Sequence, residues 1–403
     1  MKAEVTLALG IYISVPFCRT KCSYCNFASD VFSRVVFDRY IDRVCADVGK
    51  VFITAEQVGG ILDREVDSVY LGGGTPTMLD AGQLERILAA VRAQFDVQAD
   101  AEVTVECAPG TLSPAVIESL LRCGVNRVSL GVQSFIDAEA AAVGRLHKRI
   151  TILEDIAHLR AAGITNLNID LIAGLPHQTA ESWQESLKET IATGAPHASA
   201  YMLEVDDDSR LGRELMAGGT RYHAHFVPDE DATADYYAAA CEQLDATGIS
   251  QYEISNFARA GFESSHNLKY WTRQPYIGFG VDAHSMLFSR SPDADADAIR
   301  FATSDNLERY VANAPLLITT VSREAALEES FFLGLRLNRG VNLRALESNF
   351  GAAAISKARE AIADSIADAL IYRDGESIRL TPRGRLLSNL VFERFIGVDE
   401  VAQ

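Results

Sequence analysis

The sequence predicts an α/β fold: six parallel βα units forming a barrel, closed or partly open, followed by a mainly helical, winged-helix-like C-terminal region. Three features carry this prediction. Short apolar runs alternate with amphipathic stretches up to about residue 205, the rhythm of parallel βα units. The chemically unusual residues sit where those runs end, and such folds bind ligands at the C-terminal ends of their strands. From Ala325 onward the chain reads as helices closed by one small hairpin.

Strand candidates lie at 9–15, 68–71, 102–106, 127–131, 166–171 and 198–203. Between them, 37–51, 81–95, 113–123, 150–162 and 180–193 read as helices; within 81–95, Leu84, Ile87, Leu88 and Val91 fall at helical spacing. After residue 206 the alternation weakens. A helix carrying Tyr236, Tyr237 and Leu244 leads to Tyr252-Glu253-Ile254-Ser255, and a loop rich in glycine, aromatic and polar residues is expected to run to about Phe288. The C-terminal hairpin is expected at 369–372 and 378–380 around the turn Asp374-Gly375, with a last helix after Thr381-Pro382. A plain helical cap on the barrel is the simpler alternative for this region.

Of the 403 residues, 48% are hydrophobic and 23% charged, a globular balance that suits one large domain with a smaller one. The net charge of −18 argues against nucleic acid as a partner, because a backbone-binding surface needs a basic face. Acidic runs at 206–208, 229–231 and 293–297 read as solvated loops. The apolar run 5–15 follows a single Lys and lacks a small-residue cleavage site, so it reads as a buried first strand rather than a signal peptide. No stretch of 18 apolar residues predicts a membrane span, and a cytoplasmic location is expected. The seven cysteines are odd in number and follow no secretory segment, which does not suggest a disulfide framework. Cys45, Cys107, Cys123 and Cys241 read as small buried hydrophobes.

The other three cysteines form Pro16-Phe17-Cys18-Arg19-Thr20-Lys21-Cys22-Ser23-Tyr24-Cys25, directly after the first strand. The spacing C-x3-C-x2-C can place three thiolates around one iron–sulfur cubane and leave the fourth iron open to an amino-acid chelate. Zinc is the rival, although structural zinc sites usually pair two C-x2-C elements, and no second pair follows here. Three incidental buried thiols are the third reading.

The cysteine motif resembles the radical S-adenosylmethionine (SAM) signature. Tyr70-Leu71-Gly72-Gly73-Gly74-Thr75-Pro76-Thr77 resembles the glycine motif that holds the methionine part of SAM; close backbone approach favours residues without Cβ. Together these motifs resemble the HemN-like family of oxygen-independent coproporphyrinogen III oxidases and their HemW relatives, over nearly the whole chain. That resemblance implies a radical SAM partial (β/α)6 barrel with a [4Fe–4S] cluster on Cys18, Cys22 and Cys25. It implies that Tyr12 and Tyr24 flank SAM and the cluster, that Gly73, Gly74 and Thr75 contact the methionine end, and that Glu106 lies near the ribose. Gln133, Arg145 and Asp170 complete the pocket. Glu106 and Asp170 also stand out without it, as carboxylates closing apolar strands; the simpler alternative is that each pairs with an arginine and holds loops. The domains are expected at 1–240 for the barrel, 241–300 for a connecting region, and 301–403 for the C-terminal unit.

Two departures separate the chain from oxidases of HemN type. Those enzymes carry a further cysteine two positions after the third, where this chain has Phe27, and they have a longer segment before the residue that matches Tyr12. Ser265-His266-Asn267-Leu268-Lys269-Tyr270-Trp271 matches the H-N-x-x-Y-W motif associated with HemW. An imidazole can ligate haem iron and aromatic rings can pack on the macrocycle, so His266, Tyr270 and Trp271 are candidate haem contacts, expected at the barrel's edge. The simpler alternative is a histidine that orients Tyr270 or caps a helix. His284 is a further candidate polar contact, with His223 and His225 behind it. The resemblance thus implies a chaperone that binds haem and delivers it to haem-accepting proteins, membrane-bound respiratory enzymes included, with a homodimer as an admissible assembly. Decarboxylation of coproporphyrinogen III is the alternative function. A tRNA-modifying activity would need a basic RNA module that is absent here.

Overall fold

The computed structural model describes residues 8–291 and 296–397; the first part of the apolar run 5–15 and most of the acidic run 293–297 lie outside them. Twelve strands form one sheet: β1 (Leu9–Val15), β2 (Glu65–Gly73), β3 (Asp96–Cys107), β4 (Arg127–Gln133), β5 (Asn166–Ala173), β6 (His197–Met202), β7 (Ser250–Gln251), β8 (Asn256–Ala258), β9 (Tyr276–Gly280), β10 (His284–Phe288), β11 (Ala298–Ala302) and β12 (Leu317–Val321). Their order is β12-β11-β10-β9-β1-β2-β3-β4-β5-β6-β8-β7. From β1 to β6 all neighbours are parallel, the expected six-unit partial barrel. It is extended at one side by β9, which is parallel to β1, and at the other by β8, antiparallel to β6.

Alternation along the strands sorts the side chains. Ile11, Ile13 and Val15 of β1, Val69 and Leu71 of β2, and Val128, Leu130 and Val132 of β4 join one apolar core with Tyr40, Ile41, Leu84 and Ile87 of the covering helices. Each such aliphatic side chain contributes roughly 1.5–3 kcal/mol on burial. The helix Ala81–Gln94 starts at a reciprocal capping box between Asp80 and Gln83 and stops where Phe95 turns extended into β3. Cys107 and Cys123 are buried, as expected, while Cys45 and Cys241 are partly exposed and pack against the same core.

The opposite face of the strands is polar. Tyr12 and Ser14, Ser68 and Tyr70, Thr104 and Glu106, Arg127 and Ser129, Asn168 and Asp170, His197 and Ser199 occupy the alternate positions. The barrel therefore encloses a hydrogen-bonding lumen instead of layered aliphatic side chains.

The region expected to be a loop up to Phe288 instead holds the helix Ser265–Trp271 and strands β9 and β10. Glycines obscure the strand pattern there: a Cβ at Gly278 would stand 2.4 Å from the His284 carbonyl oxygen, so the closeness of β9 to β10 requires the residue that hides the alternation. Past β12, the helix Arg323–Arg336 opens a second core. Its Leu327, Phe331 and Leu335 pack with Ile371, Ile378 and Leu380 of a three-stranded antiparallel sheet backed by helices, the winged-helix-like arrangement.

Candidate functional site

The cysteine loop leaves the C-terminal end of β1 and is tied down on two sides. Toward β2, the Gly74 amide donates to the Val15 carbonyl and the Thr75 amide to the Phe17 carbonyl, both at 2.8 Å. A Cβ on Gly74 would sit 2.8 Å from the Phe17 oxygen and 2.9 Å from Cys18 Sγ, and Gly73 has φ +102°. Glycine is thus required at 74 by close approach and at 73 by backbone conformation. On the other side, the Thr20 hydroxyl donates to the Gly144 carbonyl at 2.9 Å and the Ser23 amide to Val143 at 3.1 Å. Arg145 reaches Cys22 Sγ with one guanidinium nitrogen at 3.7 Å and the Gly131 carbonyl with another. Lys21 Nζ closes the loop on itself through the Phe27 and Ser29 carbonyls, each at 2.7 Å. The cysteine, glycine and Val143–Arg145 motifs, distant in sequence, therefore form one structure.

Burial pushes the Cys18 thiol up, with the neighbouring cysteines adding to it; three thiols packed this way gain from a cation that takes their protons. Among the described residues, no three His, Cys, Asp or Glu side chains converge on one ion-sized point. A cubane does not require that, because each thiolate binds a different iron. Beside Cys22, Gln133 Oε1 and Arg145 Nε are buried without a partner among the described residues. Gln133 holds φ +68°, a left-handed conformation unusual for a side chain of this size. An orphaned acceptor and an orphaned guanidinium nitrogen at the loop fit a polar, zwitterionic ligand. Tyr24 packs with Val143, Ile172, Leu175 and Leu203 under the loop.

Glu106 accepts the Tyr70 hydroxyl at 2.8 Å and the Gly73 amide at 3.1 Å. Burial pushes its carboxyl up to about 7; the two hydrogen bonds oppose this and nearby Asp170 adds to it. Asp170, also pushed up by burial, accepts from Ser129 Oγ at 2.8 Å and Asn168 Nδ2 at 2.7 Å. Neither carboxylate makes an ion pair with an arginine among the described residues; Arg127 instead faces Glu102 at 3.9 Å. The network runs on from Asn168 to His197 at 2.6 Å and to Ser199 at 3.0 Å, and from Ser199 to Asn256 at 2.8 Å. Asn256 then donates to the fully buried Glu253, which pairs with Arg336 of the C-terminal unit at 3.5 Å. Sequence reasoning missed Ser129, Asn168, His197 and Ser199. The available signal was polar residues recurring at every second position inside otherwise apolar strands.

The H-N-x-x-Y-W helix does not sit at the barrel's edge. It plugs the lumen at the N-terminal ends of β1–β3, where Glu102 accepts the His266 amide at 3.2 Å and the Ser265 amide at 3.1 Å, and Lys269 pairs with Asp67 at 2.7 Å. His266 is 1% exposed. Its Nδ1 lies 3.1 Å from Ser68 Oγ and its Nε2 2.9 Å from the Tyr270 hydroxyl. Burial, helped by Lys269 and Arg127, lowers its pKa to about 3, so it is neutral. Trp271 is not among the residues that line the cavity described below, and the Arg336 guanidinium lies 4.3 Å over its ring. Tyr270 alone of the three reaches the ligand space. It lines a cavity of about 270 Å³ together with Tyr12, Gly73, Gly74, Tyr276 and His284.

The radical SAM superfamily model matches residues 12–190 and the HemN C-terminal domain model residues 321–387. The chain is 34% identical to the heme chaperone HemW of Lactococcus lactis over 394 residues, 97% of each chain. It is 31% identical to that of Bacillus subtilis over 96% of this chain and 98% of the other, and 34% identical to that of Escherichia coli over 68% and 69%. The solved coproporphyrinogen III oxidase HemN of Escherichia coli, described as a radical SAM enzyme, superposes with a TM-score of 0.81 at 24% identity, covering 96% of this chain and 90% of that one.

Proposed function

This chain belongs to the HemW family of haem chaperones within the radical SAM superfamily, and on that premise we propose that it binds haem and passes it to haem-accepting proteins. The observation that carries the reading is the cavity in which Tyr270 of the H-N-x-x-Y-W helix and Tyr12, Gly73 and Gly74 of the SAM-type motifs form one wall system. Two tyrosine rings with a polar rim suit a macrocycle that is apolar on its faces and charged at its propionates.

Membership of the superfamily implies a [4Fe–4S] cluster and SAM. In this proposal Cys18, Cys22 and Cys25 hold the cluster, and Arg145 balances the charge gathered at Cys22. Gly73, Gly74 and Thr75 present backbone to the methionine end of SAM, with Tyr12 and Tyr24 flanking it. Glu106 takes the ribose hydroxyls, while Gln133 and Asp170 close the polar end. The bound cluster supplies one-electron chemistry at SAM. The chain's own task is to seat SAM, exclude water and hold Glu106 and Asp170 at the proton load their burial sets. His266 acts on haem through Tyr270, whose hydroxyl it holds; Trp271 acts through Arg336. A cytoplasmic location, membrane respiratory enzymes as acceptors, a homodimer, and the division at about residues 240 and 300 belong to the same reading. No described helix is long and apolar enough to cross a membrane.

The test is a haem titration followed at the Soret band, with transfer of bound haem to an apo-haemoprotein as the second step. Stoichiometric binding and transfer are expected. Turnover of coproporphyrinogen III under reducing conditions, without haem binding, would replace this reading with the oxidase.

A further inference from the structure

Resting on that reading of the cavity, we propose that the side chain that takes the haem iron is His284, at the cavity's rim, and that His266 is its remote organiser.

His266 cannot offer a lone pair where it stands. Both of its ring nitrogens are engaged, by Ser68 and by Tyr270, and it is not among the residues that line the cavity. A neutral imidazole has one donor and one acceptor nitrogen; iron ligation would require breaking a bond inside the lumen and exposing a side chain that is 1% exposed.

His284 meets the requirements that His266 does not. It lines the cavity, and its side chain is 68% exposed. Its Nε2 faces Asp282 Oδ1 at 3.5 Å, and no other side-chain partner within hydrogen-bonding distance is found for it among the described residues. A carboxylate facing one nitrogen favours the N–H there and leaves the lone pair on the other, which is how metal-binding histidines are commonly oriented.

The turn that presents the pair is held in place. Gly280 has φ +103° and Asp282 φ +55°. The Thr303 hydroxyl donates to the Gly280 carbonyl and accepts the Ala283 amide at 2.9 Å, and the Asp282 amide donates to Ser304 at 2.9 Å. Tyr270 and Tyr276, whose ring centroids are 4.6 Å apart, line the same cavity and supply aromatic surface for the macrocycle. Phe27, 65% exposed at the mouth, supplies a third ring. The position that would carry a further thiol in the oxidases thus contributes a hydrophobic lid edge here.

The experiment uses the full-length protein and ferric haem. Wild type, His284→Gly, His266→Gln and Asp282→Asn are titrated at the Soret band, and His284→Gly is repeated with added imidazole. His284→Gly should lose the ligated spectrum and weaken haem binding at least ten-fold, and free imidazole should restore the spectrum. Asp282→Asn should weaken binding by roughly ten-fold, in line with losses at residues that orient metal-binding histidines. His266→Gln should keep the ligated spectrum. An unchanged spectrum in His284→Gly, with wild type binding haem normally, overturns this assignment alone. Absence of haem binding in wild type overturns the function on which it rests.

Discussion

Glu106 accepts the Gly73 amide at 3.1 Å, so the end of β2 that bends away to meet the cysteine loop is anchored on a carboxyl group that burial has pushed up to about 7. An unfolded glutamate titrates near 4.3. Between those two values the folded chain keeps a proton that the unfolded chain has released. Stability therefore falls as pH rises through that window, by about 3–4 kcal/mol in all. Glu106→Gln removes the titrating group. Denaturant melts at steps from pH 4.5 to 7.5 should show the stability of wild type relative to the variant declining with rising pH. Parallel profiles would contradict the buried-carboxyl account.

Anaerobically purified protein should contain about four irons and four sulfides, as a thiolate-ligated cubane requires. Alanine at Cys18, Cys22 or Cys25 should each abolish them. Alanine at Cys45 or Cys241, which pack at the margin of the apolar core, should not. Equal iron loss in the Cys241 variant would redraw the ligand set.

Gly74→Ala places a methyl group 2.8 Å from a backbone oxygen and 2.9 Å from Cys18 Sγ. Backbone cannot retreat as a long side chain can, so a cost of about 1–3 kcal/mol is expected. Iron content should fall together with thermal stability. Full iron content at wild-type stability would show that the loop has more room than this geometry allows.

Arg336 joins the two cores, pairing with fully buried Glu253 and covering the Trp271 ring. Arg336→Ala strands a buried carboxylate, at a cost of about 3–5 kcal/mol, whereas Trp271→Leu removes a ring–cation contact of about 1–2 kcal/mol. Urea unfolding of both variants checks the order. If Trp271→Leu proves the more damaging, the ring's packing outweighs the ion pair.

Much of this site could be read in the residues themselves, because a thiolate triplet and a glycine run have few other uses at the ends of strands. β1 was visible whole, from Leu9 to Val15, and the helix Ala81–Gln94 nearly so. β7 and β8 are two and three residues long, too short for any period to register, and Gly278 and Gly280 interrupt the pattern of β9. The lumen was harder for a different reason. Asn168, His197 and Ser199 look like flaws in buried strands until the sheet curves and brings them face to face. The location of His266 was equally invisible, since nothing local says that a helix past the sixth strand returns beneath the first three.

β1 is bonded to β2 on one flank and, on the other, to β9, whose first residue is Tyr276. A ribosome adding about 5–20 residues per second needs roughly 13–50 s to travel from one to the other. Through that interval the strand bearing the cysteine loop is an open edge, and the helix that will stopper the lumen is made only at its end. The metal platform is therefore finished late in synthesis, and a cluster delivered to the nascent chain would meet half a socket.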